Sequence, residues 1–139
     1  HRSSPVRCSC CTAGDGGITE IFSPSITFVS APTFSPIPVT SDIATLVDTV
    51  DGEPYEGVLV TLENVKVTDK IDDGGFITFE LTQNGSVLLA HDSIYRHTAG
   101  AIGDCYAKIT GIFSTNTFDD VLSFLPTSES GIATGGVCP

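Results

Sequence analysis

One run of residues limits what this chain can fold into more than any other. Val58, Val60 and Leu62 alternate with Leu59, Thr61 and Glu63, and the apolar parity then slips by one to Val65 and Val67. Alternation of period two makes a strand with one buried face, and a one-residue slip within it calls for a β-bulge, which bends and twists the strand. The pattern predicts a long bent strand over about residues 56–69 with a bulge near Asn64. Such a strand curls a sheet round on itself.

Turn signals divide the chain beyond this strand. Asp72-Asp73-Gly74-Gly75 reads as a turn, Phe76 to Thr82 alternates with Ile77, Phe79 and Leu81 on one face, and Asn84-Gly85 is a hairpin signal leading into Ser86 to His91. Asp92 to Gly103 reads as an irregular or short helical connection. A fourth strand is expected from Cys105 to Ser114, with Ala107, Ile109 and Phe113 inward and Lys108 and Thr110 outward, and a fifth from Phe118 to Leu125. Upstream, Ser41-Asp42 caps a short helix through Ile43, Leu46, Val47 and Val50 that ends near Gly52. The expected fold is all-β: a five-stranded antiparallel barrel of OB type, since closure removes the exposed edges of so small a sheet. An immunoglobulin-like sandwich would need about seven strands.

Residues 1–39 differ in character from residues 40–139, which carry the barrel and a C-terminal tail. Cys8, Cys10 and Cys11 sit among small residues before Gly14-Asp15-Gly16-Gly17. Ile18, Ile21, Phe22, Ile26, Phe28, Val29, Phe34, Ile37 and Val39 then alternate with Ser and Thr and are broken by Pro24, Pro32, Pro36 and Pro38. Proline excludes a helix and a central strand here, which leaves an extended arm or an edge strand. Water does not cover so many apolar groups well, so Ile26, Phe28, Val29, Phe34 and Ile37 are expected to pack against the barrel or a neighbouring copy.

Charge and cysteine usage narrow the function classes. Six basic and 17 acidic residues give a net charge of −11, which repels phosphate backbones, so nucleic acid is not an expected partner. No apolar run is long enough for a transmembrane helix. The opening on His1 without a basic or apolar leader has the look of a processed form, and five cysteines with no Met fit an oxidising, extracellular setting. Cys105 at the start of a strand and Cys138 near the carboxyl end are expected to pair. The odd total leaves at least one of Cys8, Cys10 and Cys11 free, metal-bound or bonded to another molecule.

Tyr55-Glu56-Gly57-Val58-Leu59-Val60-Thr61-Leu62-Glu63-Asn64-Val65-Lys66-Val67-Thr68-Asp69, with Gly103-Asp104-Cys105-Tyr106-Ala107-Lys108-Ile109-Thr110-Gly111-Ile112 and Leu125-Pro126, resembles the OB-fold domains of secreted bacterial proteins, notably extracellular endonucleases. The resemblance spans about residues 53–130 and implies an OB barrel in an exported protein. It does not imply nuclease activity, which in those enzymes resides in a separate domain.

Candidate chemistry is sparse. No nucleophile elbow, zinc-protease helix or phosphate loop is present, and adjacent pairs such as Asp72–Asp73 and Asp119–Asp120 diverge as turn carboxylates do, so no catalytic residue is assigned. His1 with His91 or His97 offers a copper brace, Cys8, Cys10 and Cys11 offer thiolates without paired Cys-x-x-Cys spacing, and Asp69, Asp72 and Asp73 offer calcium oxygens without an EF-hand frame. No cofactor is expected. Tyr55, Phe76, Tyr95 and Tyr106, with Lys66, Lys70, Lys108 and Arg96, are the groups an OB face would use on a ligand. The expected function is that of a non-enzymatic, secreted structural protein whose arm joins copies, in part through disulfides, into a fibre. The alternative is an OB ligand-binding module for nucleic acid, glycan or protein.

Overall fold

The structure, a computed structural model, describes residues 36–72, 75–96, 100–116 and 121–138. Among the described residues, seven strands form a single sheet and one short α-helix lies between the first two: β1 (Val39–Thr40), α1 (Ile43–Val47), β2 (Leu59–Asp72), β3 (Ile77–Gln83), β4 (Ser86–His91), β5 (Cys105–Asn116), β6 (Val121–Pro126) and β7 (Ile132–Thr134). Five of these close a ring in the order β2–β3–β4–β6–β5 and back to β2, with β1 and β7 added outside it. Three consecutive strands with the fourth returned beside the first make a Greek key, and β6 fills the remaining gap.

The ring departs from the expected antiparallel barrel at one join, where β4 and β6 run parallel through Leu89–Ser123 and Ala90–Phe124. The reason is parity. Strands that alternate in direction around a closed ring must be even in number, so five strands leave one parallel neighbour. The strands beyond the expected five also have a cause. β2 has 14 residues and pairs with β3 only from Lys66 onward. Its open first half accepts Val39 and Thr40 as a parallel edge opposite Val60 and Thr61.

The parity slip in β2 takes a different form from a simple bulge. Asn64 adopts a left-handed conformation at φ 53°, which asparagine tolerates better than most residues. The register with β5 is unchanged across it: Leu62 faces Ile109, Glu63 faces Lys108 and Val65 faces Tyr106. Both strands slip together, so Leu62, Val65, Ile109 and Tyr106 are all fully buried. The matched slip turns Tyr106 inward and leaves Ala107, expected inward, only half-buried. The two-against-one bulge lies further along, at Thr68 in the pairing with β3.

The β3–β4 hairpin follows its sequence signal. Asn84 and Gly85 both have positive φ, 50° and 87°, the requirement of a type I′ turn, and Gln83 pairs with Ser86 across it. At one end of the barrel, α1 delivers Ile43 and Leu46 into a core shared with Val60, Phe79, Phe113 and Phe124. Asp42 caps this helix by accepting the Thr45 N–H at 2.8 Å. The helix stops at Val47, short of Gly52, because the Asp48 carboxylate accepts the N–H groups of Val50 and Asp51 and so replaces the next helical turn. Val50 is exposed as a result.

Gly111 sits where β5 pairs with both β2 and β6. A Cβ built there would lie 2.6 Å from the Leu125 carbonyl oxygen and 2.8 Å from the Phe124 ring. Gly111→Ala is expected to destabilise the fold by about 1–3 kcal/mol through overpacking, measured as a lower urea midpoint with an unchanged m-value.

Candidate assembly edge and ligand-facing surfaces

The carboxyl-terminal tail straps the outside of β5. β7 pairs with β5 through Ile132–Ile109, Ala133–Lys108 and Thr134–Tyr106, and the Gly135 N–H donates to the Cys105 carbonyl at 3.0 Å. Gly136 is packed so closely that a Cβ would meet the Ala107 backbone at 2.6 Å. Cys138 and Cys105 are joined by a disulfide with their Cα atoms 5.7 Å apart. Cross-linking over 33 residues stabilises by about 3–4 kcal/mol in the chain-entropy view. Thr110 alternates with the core residues Ile109 and Phe113 and so faces outward as expected, but the tail covers it. Gly131 lies against Thr110, and the Thr110 hydroxyl is buried 2.7 Å from that of Thr61, directly across the β2–β5 pair.

Of the arm residues, Ile26, Phe28, Val29 and Phe34 lie outside the described residues, as do Cys8, Cys10, Cys11 and His1. Ile37 is described and is 85 % exposed. Val39, assigned to the arm on sequence grounds, is part of the barrel's sheet. Ser41 continues the contact, its N–H donating to the Thr61 carbonyl at 3.1 Å. The segment therefore enters the molecule as an added edge strand, held by main-chain bonds and not by its side chains.

Beside this edge lies a polar cleft of about 330 Å3 lined by Thr40, Ser41, Glu63, Asn64, Gln83 and Asn84, with Val137 at its rim. Gln83 organises it: its Oε1 accepts the Ile43 N–H at 2.8 Å and its Nε2 donates to the Glu63 carbonyl at 2.6 Å. Both ends of that amide are thus spent on tying α1 to the kink in β2.

The aromatic and basic candidates separate. Tyr106 is a core residue, fully buried beneath Gly100, and is inaccessible to a ligand. Phe76 is exposed and gathers two others: the His91 ring at 5.2 Å between centroids and the Arg96 guanidinium at 4.9 Å over its face. Lys70 lies 5.5 Å over the Phe79 ring. Tyr55 packs partly buried against the core, while Lys66 and Lys108 are exposed on strands of the barrel.

Among the described residues, the metal and acid–base candidates are not drawn together. Among the described residues, no three His, Cys, Asp or Glu side chains converge as a metal site would require. The Asp69 carboxylate accepts its neighbour Lys70's N–H at 2.8 Å, and Asp73, His97, Asp119 and Asp120 lie outside the described residues. Asp92, which belongs to no motif in the sequence, is a buried carboxylate that accepts the Ile77 N–H at 2.8 Å and joins the start of β3 to the end of β4. No described helix is long and apolar enough to cross a membrane.

Burial, with the nearby Asp104 carboxylate, pushes the Tyr106 hydroxyl up to about 12 from an ordinary 10.0. The folded state keeps the proton longer than the unfolded state, so the stabilisation is complete below pH 10 and is lost as pH rises from 10 to about 12. Tyr106→Phe is expected to flatten that alkaline loss relative to the unsubstituted protein, read as urea midpoints at pH 9 and pH 11. No protein-family model matches the chain, and no curated protein matches it.

Proposed function

We propose that this chain is a non-enzymatic, secreted structural protein, an OB-type barrel whose N-terminal segment joins copies into an extracellular fibre or similar open assembly. The observation that carries the reading is the edge addition at β1: Val39 and Thr40 already extend the sheet by main-chain pairing, with Ile37 exposed just upstream. Strand addition is a general way for one chain to recognise another, because main-chain bonds hold the segment and alternate side chains fill pockets. Nine large apolar residues in residues 18–39 supply those side chains.

A donated strand makes a head-to-tail contact, which propagates unless its rotation closes a ring. Cysteines at positions 8, 10 and 11 then lock neighbours covalently, and the Cys105–Cys138 disulfide suits the oxidising setting that this requires. The five-stranded Greek-key ring supports the OB assignment, as does the resemblance of Tyr55–Asp69 to secreted bacterial OB domains.

A second reading has one observation in its favour, the Phe76–His91–Arg96 cluster, which offers an aromatic face beside the Arg96 guanidinium. Single-stranded nucleic acid is recognised by such pairs only when basic residues track its backbone, and a net charge of −11 opposes that.

The full chain, concentrated under mild oxidation, is expected to form filaments visible by negative stain and to run as a ladder of covalent multimers on a non-reducing gel. Sedimentation as a monomer under those conditions ends the structural reading. Salt-sensitive, micromolar binding of a labelled single-stranded oligonucleotide would instead favour the ligand module.

A further inference from the structure

The barrel has one weak join, and it is apolar. The parallel pairing of β4 with β6 covers only Leu89–Ser123 and Ala90–Phe124, although both strands begin earlier, at Ser86 and Val121. Before the pairing starts, the strands diverge around a groove of about 330 Å3 lined by Val47, Val87, Leu88, Leu89, Val121 and Leu122. Among the described residues, no charged or polar side chain lines it. Val87 is 46 % exposed and Val121 36 %.

The groove also offers backbone. In a two-residue hairpin, the residues flanking the turn exchange both ladder bonds, and the next pair out turns its main-chain groups away. Gln83 and Ser86 flank the turn, so Val87, opposite Thr82, directs its N–H and C=O away from β3, toward β6. Leu89, two residues on, has the same orientation and meets β6; at Val87 the β4–β6 ladder has already stopped. An apolar trough with a strand edge along one wall fits an extended apolar segment better than a small polar ligand.

Resting on the assembly reading above, we propose that this seam is the acceptor site for residues 25–31 of a second copy, which add as a strand along Val87 with Ile26 and Phe28 in the groove. Three observations select that occupant. Residues 21–41 contain no charged side chain in a chain of net charge −11, matching a groove without charge. Ser25 to Ala31 is the longest proline-free stretch of residues 21–41, so every residue in it keeps an N–H for a ladder, and Ile26 and Phe28 share one face of it. Pro32 to Pro38 then holds three prolines and no glycine before the chain is fixed at β1. A proline-rich sequence without glycine favours extended conformations, which suits a window offered to a neighbour.

The test uses the full chain with its free thiols alkylated, so that only the non-covalent contact is read. Phe28→Asp spoils the donor and Val87→Lys the acceptor; Val121→Lys repeats the acceptor test on the opposite wall. Circular dichroism and the intact Cys105–Cys138 disulfide check folding. Each variant alone is expected to raise the concentration for assembly at least about tenfold, the equivalent of one lost apolar anchor.

An equimolar mixture of the Phe28→Asp and Val87→Lys chains is expected to form dimers that grow no further, because one sound arm meets one sound groove and the other ends are blocked. If the variants remain monomeric when mixed, the segment fills its own groove and the inference is overturned. If Val87→Lys and Val121→Lys assemble like the unsubstituted chain, the groove is not the acceptor while the assembly reading stands. If the unsubstituted chain itself sediments as a monomer, both fail.

Discussion

Closure of an odd ring is the constraint on which the rest of this structure depends. Five strands bury one apolar core without leaving two long free edges, but five cannot alternate in direction all the way round. The mismatch is confined to β4 and β6, which meet in parallel over two residue pairs. Elsewhere the ring is held by antiparallel ladders of six or seven pairs. The core centred on Leu62, Phe79, Tyr106, Phe113 and Phe124 therefore has one thin wall, with the side chains of α1 plugging the barrel end beside it.

A second economy lies in β2. Its 14 residues are too long for any one partner, so β5 covers Leu59 to Lys66 on one side while β1 and β3 share the other. The kink at Asn64 and the bulge at Thr68 let the same strand turn from one neighbour to the next without losing the core face. Gln83 fastens the kink to α1 through both ends of its amide, and Gly111 gives β5 and β6 room where the ring turns.

Much of this is written in local patterns. The long bent strand, the Asn84-Gly85 hairpin, the Asp42 cap and the pairing of Cys105 with Cys138 all follow from alternation, turn chemistry or cysteine count. The features that local patterns do not carry depend on partners distant in sequence. A slip in β2 is visible because polar Glu63 and Asn64 interrupt an apolar series, whereas the matching slip in β5 hides behind Ala107, which suits either face. Tyr106 thus passes for a surface aromatic. β1 and β7 are two and three residues long, too short to show a period, and exist because neighbouring strands left edges to cover. The candidate sites follow the same division: Phe76 with Arg96 and His91 meets only through the sheet, and Asp92 declares itself only by its burial.

The strap across β5 has a mechanical consequence. The bond between Cys105 and Cys138 makes β5, β6 and β7 a covalent loop, while β1 to β4 lie outside it. A barrel pulled from residue 36 can pay out its chain only as far as Cys105; beyond that residue the contour is short-circuited by the bridge. Tension would strip the two pairs of β1 first, a contact that re-forms without any topological search, and would leave the looped strands as a template on which the extended part can refold. Pulled between residue 36 and its carboxyl end, the barrel would give by a bounded length and then hold.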